Sequence, residues 1–146
     1  MPDEEPAQCY ADPRMNRVSG PFTVKVIPQK ADNPQAEAAG LGRMSLDKQF
    51  HGDLEATSQG EMLSQLDRAV GSGGYVALER VNGTLAGRKG GFVLMHHATM
   101  SRGTPDLKIQ VVPDSGTEEL VGLKGTMDIR IEDKQHFYDF DYEFAG

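Results

Sequence analysis

Short runs of alternating apolar and polar residues follow one another along the chain from about residue 20 onward. β-Branched and aromatic residues dominate these runs, and Gly, Asp and Pro separate them, which is typical of β-strands. The pattern predicts about eight strands, at residues 21–29, 43–51, 53–64, 74–82, 90–100, 107–113, 125–132 and 136–144.

Helical periodicity is weak along the whole chain, and the best helical candidates are 35–40, 61–71 and a single turn at 115–120. In the last of them, Ser115 and Glu118 have the spacing of a capping box. The middle segment is ambiguous, because its apolar residues fit a helix face while the residues before it alternate like a strand. We therefore predict a strand there that runs into a loop or a short helix.

The connections between the predicted strands are short, so neighbouring strands are expected to be antiparallel. With almost no helix to cover two sheet faces, closure of the sheet on itself is the simplest way to remove its edges. The sequence predicts an all-β, closed antiparallel barrel of about eight strands, with a two-sheet sandwich as the alternative. Residues 1–19, rich in Pro, Asp and Glu, are predicted to form a mobile arm, and residues 20–146 a single barrel domain.

The last predicted strand has an aromatic face and a mostly acidic face. Side chains of alternate residues share a face of a strand, and one face consists of His136, Tyr138, Phe140, Tyr142 and Phe144. The simplest interpretation of this stripe is core, and a subunit interface or a cavity wall is the alternative. Tyr138 and Tyr142 are therefore candidate ligand-binding residues.

The hairpin at 74–97 carries a carboxylate on one strand and histidines on the other. A turn near Ala86-Gly87 would pair residue 77 with residue 96, which places Glu79 diagonal to His96, about 7–8 Å away. A buried carboxylate requires a partner, so the pair is either a structural hydrogen bond or an acid–base or ligand-binding site. The candidate catalytic residues are Glu79 and His96. Tyr75, Arg80 and Phe92 join them as candidate ligand-binding residues.

Composition and charge exclude several classes of function. The net charge of −7 and the pI of about 5.0 disfavour nucleic-acid binding, which requires clustered cations. No run approaches the roughly 20 apolar residues of a membrane helix. The N-terminal segment has no secretory pattern and Cys9 is the one cysteine, so we expect a cytoplasmic protein.

No metal or cofactor site is predicted. His96 and His97 are adjacent in a strand and must point to opposite faces, so they cannot bind one metal ion together. The many glycines do not match a phosphate-binding loop, and turns or bulges at the barrel corners explain them better.

Several segments resemble the bacterial DUF3224 family, over about Gly20 to Phe144. They are GDLEATSQGEML, GYVALERVNGTLAGRKGGFVLMH, VVPDSGTEELVGLKG and HFYDFDYEF. The family is similar to the allene-oxide-cyclase-like barrels, which include the plant dirigent proteins. This resemblance implies an eight-stranded barrel with an apolar cavity, and a homo-oligomer (dimer or trimer). The polar site residues of the plant cyclases have no counterparts here, so cyclase activity remains an analogy of fold.

Three functions fit these observations. The first is a barrel that binds a small, mostly apolar ligand whose polar end meets Glu79, Arg80 or His96. The second is an isomerase or cyclase that uses Glu79 and His96 as acid and base. The third is a structural or oligomerisation module with a filled interior.

Overall fold

The computed structural model describes residues 15–145 and confirms the closed antiparallel barrel. Its eight strands follow the chain order around the barrel, and the first strand pairs with the last. The strands are β1 (Asn16–Pro28), β2 (Gly42–Phe50), β3 (Leu54–Asp67), β4 (Ser72–Leu85), β5 (Arg88–Ser101), β6 (Thr104–Val111), β7 (Leu123–Glu132) and β8 (Gln135–Phe144).

The barrel begins earlier in the chain than the sequence pattern indicated. β1 starts at Asn16 and pairs with β8 from its first residue, where Asn16 lies opposite Tyr142. Residues 16–19, which were assigned to the N-terminal arm, therefore belong to the barrel. The rest of the predicted arm, apart from Met15, lies outside the described residues.

Of the three helical candidates, the segment at 35–40 forms an α-helix. α1 (Pro34–Ala39) begins after Asn33, whose side chain accepts a hydrogen bond from the Ala36 N–H, and it ends at Gly40 in the left-handed conformation. The helix alternative for residues 61–71 is wrong, because β3 continues to Asp67 and pairs with β4 along its whole length.

The single turn predicted at 115–120 is present as a short 3-10 turn (Glu118–Leu120). The predicted capping box is wrong, because Thr117 precedes the turn and makes no side-chain cap. The hydroxyl of Ser115 instead accepts a hydrogen bond from the backbone N–H of Val93 in β5. The side chain thus attaches the β6–β7 connection to the barrel wall.

One end of the barrel is closed by tight packing. The aromatic stripe of β8 points inward, as the core interpretation expected: Tyr138, Phe140 and Tyr142 are buried, and Phe140 stacks on Phe92. Leu120, from the 3-10 turn, is buried in the same cluster. The Tyr138 hydroxyl donates to the His51 carbonyl and accepts from the Leu54 N–H, which satisfies its hydrogen bonds in the core.

The opposite end of the barrel is open. Here β1, β3, β5 and β7 end and the alternate strands begin. Interior side chains near this rim are only partly covered, and the apolar residues Val26, Leu66 and Met100 are 44%, 55% and 39% exposed. A cavity enters the barrel from this end.

β6 and β7 are paired over a short length. The register pairs of these two strands, all of whose residues are described, are Ile109–Met127 and Gln110–Thr126. The beginning of β6 therefore pairs with β5 but not with β7, and Leu107 and Ile129 on either side of this gap line the cavity.

Candidate functional site

The interior cavity has a volume of about 520 Å³ and is predominantly apolar. Its walls come from all the strands. Apolar side chains line it from Phe22, Val24 and Leu46 on one side to Ala98, Leu107 and Ile129 on the other. The barrel interior is thus packed with side chains at one end and contains a cavity at the other. The interior is not completely filled.

Polar groups meet the cavity at its inner end. Lys48 in β2, Tyr75 in β4 and His96 in β5 all contribute to the cavity wall. Lys48 and His96 are 6% and 3% exposed, so they are polar groups within the apolar interior rather than at the rim.

Glu79 joins Lys48 and His96 into one hydrogen-bonded cluster. Its carboxylate accepts from Lys48 Nζ at 2.8 Å, from Ser58 Oγ at 2.5 Å and from His96 Nε2 in a short contact. Glu79 is 1% exposed and Ser58 is fully buried. We call Lys48, Ser58, Glu79 and His96 the polar cluster.

The register of the sheet explains why these residues meet. Ala77 pairs with His96, as predicted from the Ala86-Gly87 turn, so Glu79 lies diagonal to His96 on the inner face. Glu79 lies opposite Gly60 in β3, and Ser58 and Lys48 pair directly with each other across β2 and β3. Four inward side chains from four adjacent strands therefore converge.

Electrostatics in the polar cluster favour an ionised Glu79. Burial raises the pKa of this carboxyl, but the hydrogen bond from His96 and the attraction of the Lys48 ammonium outweigh burial and lower its pKa to about 2. A negative Glu79 compensates Lys48, which also lies over the rings of Phe22 and Phe50, with Nζ at 5.3 and 5.8 Å from their centroids.

The predicted site residues differ in whether they reach the cavity. Tyr75 and His96 line the cavity, and Glu79 is covered behind Lys48 and His96 and reaches the cavity through them. Phe92, Tyr138 and Tyr142 are buried in the packed end, and none of these three lines the cavity.

Arg80 belongs to neither end of the barrel interior. It follows Glu79 in β4, so its side chain points to the outer face, where it is exposed. It therefore cannot meet a ligand inside the barrel together with Glu79 or His96.

Lys48 and Ser58 are functional candidates that the sequence reasoning missed. The signal was present: Lys48 alternates with Leu46 and Phe50, and Ser58 follows Leu54 and Ala56 at the same period. A lone polar residue in the apolar row of a strand points to an interior polar site.

Within residues 15–145, no group of three or more His, Cys, Asp or Glu is arranged to hold a metal ion. His51 contacts Glu55 on the surface, and His136 packs against Phe22. In the same part of the chain, no helix has the length and apolar character needed to span a membrane. The predicted homo-oligomer and the predicted cytoplasmic location stay predictions.

Comparison with known proteins identifies the family. The sequence model of DUF3224, described as a protein of unknown function, matches residues 18–142. A crystal structure of a DUF3224-family protein with unknown function from Shewanella oneidensis MR-1 is 51% identical and superposes with a TM-score of 0.83, covering 90% of this chain and 98% of that chain. None of the curated proteins matches the chain. The fold and these matches over most of its length place the chain in the DUF3224 family.

Proposed function

We propose that this protein binds a small, mostly apolar molecule in the open half of its barrel. The observation that carries the proposal is an apolar cavity of about 520 Å³ with the buried Lys48 and His96 in its wall and Tyr75 beside His96. Pockets for small molecules typically have volumes of about 300–1,000 Å³, apolar walls and a few polar groups that fix orientation. The cavity has each of these properties.

The rim of the cavity supports entry of an apolar molecule. Val26, Leu66 and Met100 are exposed around the opening, so the path into the barrel is predominantly apolar from the surface inward. A ligand that covers these side chains removes apolar surface from water, which is favourable.

A neutral fluorescent probe, N-phenyl-1-naphthylamine, tests this proposal. We expect its emission to rise when it binds to the wild-type protein. Ala98 lines the cavity, so Ala98→Trp is expected to fill the space and weaken probe binding by about tenfold or more, which is about 1.4 kcal/mol. The dissociation constant of the probe is measured by fluorescence titration.

The matched control is His97→Trp, which adds the same ring to the neighbouring residue on the outer, exposed face. This variant is expected to bind the probe with wild-type affinity. Equal binding by the Ala98→Trp and wild-type proteins, with both folded by circular dichroism, would contradict a ligand site inside the barrel. So would the absence of any emission change in the wild type.

The contact between Glu79 and His96 favours a second function, acid–base catalysis as in an isomerase. Glu79 has a pKa of about 2 and does not line the cavity, so its role would be to position His96, and His96 would exchange the proton with the substrate. The variant His96→Gln distinguishes catalysis from binding alone. If the protein is an isomerase, this variant would retain the wild-type affinity for the apolar probe and lose turnover of the substrate.

A further inference from the structure

The polar cluster defines which nitrogen of His96 is free to meet a ligand. Glu79 is ionised and has no proton to give, so the contact with His96 Nε2 requires the histidine to donate from that nitrogen. In the neutral ring, Nδ1 then carries the lone pair and is a hydrogen-bond acceptor.

Among the described residues, none forms a hydrogen bond with Nδ1 of His96. The side chain is 3% exposed and forms part of the cavity wall. Buried polar atoms in folded proteins are almost always hydrogen-bonded, so an acceptor in this position calls for a donor that residues 15–145 do not supply.

Lys48 supplies the complementary group in the same wall. Its ammonium has three donor positions, and Glu79 is its acceptor among the described residues. Its Nζ lies over the rings of Phe22 and Phe50, and among the described residues no second acceptor bonds to its remaining N–H groups. The inner end of the cavity therefore offers one acceptor and at least one donor.

Charge limits what can satisfy both groups. Lys48 already compensates Glu79, so a proton on both nitrogens of His96 would add an unpaired positive charge to the interior, which is costly. With a single proton on the ring, the polar cluster has no net charge. An anionic ligand would add an uncompensated charge beside Lys48 and Glu79, both of which are at least nine-tenths buried, and this is costly.

We infer that the cavity is selective for a neutral apolar molecule with a hydroxyl group, which donates to Nδ1 of His96 and accepts from Lys48. This inference rests on the proposed function, because it requires that a ligand enter the cavity. Phenols, enols and alcohols on an apolar body fit this description. Ethers cannot donate, and carboxylates at neutral pH carry charge.

Four compounds of one shape test the selectivity: 4-phenylphenol, 4-methoxybiphenyl, biphenyl and biphenyl-4-carboxylate. Each competes with N-phenyl-1-naphthylamine for the wild-type protein at pH 7. We expect 4-phenylphenol to bind about tenfold or more tightly than the ether, because one acceptor is satisfied only by the phenol. Transfer out of water costs the phenol more free energy than the ether. A cavity without hydrogen-bonding groups would therefore bind the ether more tightly than the phenol.

If the ether or biphenyl competes as well as the phenol, the hydroxyl selectivity is wrong and the proposed function stands. Tightest binding by the carboxylate would overturn the inference in favour of an anion site. If neither the probe nor any of the four compounds binds, the proposed function fails together with the inference.

Two variants attribute the selectivity to the polar cluster. His96→Leu is expected to remove the preference for the phenol over the ether while biphenyl still binds. Glu79→Gln no longer fixes which nitrogen of His96 donates, and it is expected to reduce the preference. Retention of the full preference by both folded variants would contradict the role of His96. The comparison of the four compounds on the wild type stands even if a variant does not fold.

Discussion

At the scale of single residues, the barrel interior holds a charged carboxylate among mostly apolar side chains. Glu79 is buried, and its charge is compensated by Lys48 and by hydrogen bonds from Ser58 and His96. A buried ion pair contributes little net stability compared with apolar residues of similar volume, whereas one charge without its partner is strongly destabilising. The polar cluster is therefore consistent with the proposed ligand recognition and is not by itself an argument for stability.

The low pKa of Glu79 predicts how stability depends on pH. Its pKa falls from a usual 4.5 to about 2 on folding, so its ionisation stabilises the fold above pH 4.5. This stabilisation, roughly 3 kcal/mol from the size of the shift, is lost as the pH falls towards 2. Glu79→Gln is expected to lower the free energy of unfolding at pH 7, by an amount that shrinks between pH 4.5 and 2.

Urea unfolding at a series of pH values measures this difference. Glu61→Gln is the control, because Glu61 is an exposed β3 residue that pairs with Arg43 on the surface, and such pairs contribute little. A loss of stability in Glu79→Gln that stays constant down to pH 2 would contradict the assigned ionisation of Glu79.

Sequence patterns at the residue scale predicted the Glu79–His96 contact, because strand period and turn position together fix which residues share a face. They did not reveal the contributions of Lys48 and Ser58. The strand period places both side chains on the inner face, and their contact with Glu79 depends on the registers of β2 with β3 and of β3 with β4, for which no turn centre was predicted. The strand period also explains Arg80, because a residue that directly follows Glu79 in a strand must lie on the opposite face.

At the scale of elements, the polar cluster depends on the close approach of β3 to β4. Gly60 lies opposite Glu79, and a Cβ at Gly60 would lie 2.1 Å from the Leu78 carbonyl oxygen and 2.7 Å from the Glu79 Cα. No side chain fits there without separating the two strands. The glycine thus allows the backbone contact that places Glu79 within reach of Ser58 and Lys48.

Gly60→Ala is therefore expected to destabilise the protein by about 2 kcal/mol or more, in the range for strain that the backbone must absorb. It should also weaken binding of the apolar hydroxyl compound, since Glu79 moves. Thermal unfolding and the probe competition measure the two effects. Gln59→Ala, at the exposed neighbouring position, is the control, and an equally small effect of both substitutions would contradict the role of the glycine.

Strand patterns predicted the existence and order of the eight strands, but the ends of several elements differ. β3 extends beyond the predicted strand because pairing with β4 outweighs the helical spacing of its last apolar residues. The segment after Ser115 forms a 3-10 turn because Ser115 bonds to Val93 rather than to its own turn. In both cases a tertiary contact overrides a local preference.

At the scale of the whole molecule, closure of the barrel was predictable from the sequence and the division of its interior was not. Large aromatic residues of β8 fill one end, and smaller residues such as Ala98 leave space at the other. The volume that remains depends on how side chains from all eight strands pack together, and the period of any single strand does not contain that information.

The most direct test of this account is an NMR titration of the ¹⁵N-labelled protein with 4-phenylphenol. We expect the largest shifts in the imidazole of His96 and in the backbone amides of Tyr75, Ala98 and Leu107, which line the cavity. The chemical shifts of the amides around Leu123, in the packed end, should not change. Shifts spread over the outer face, or saturating binding that leaves the His96 imidazole unchanged, would contradict a ligand site in the barrel at the polar cluster.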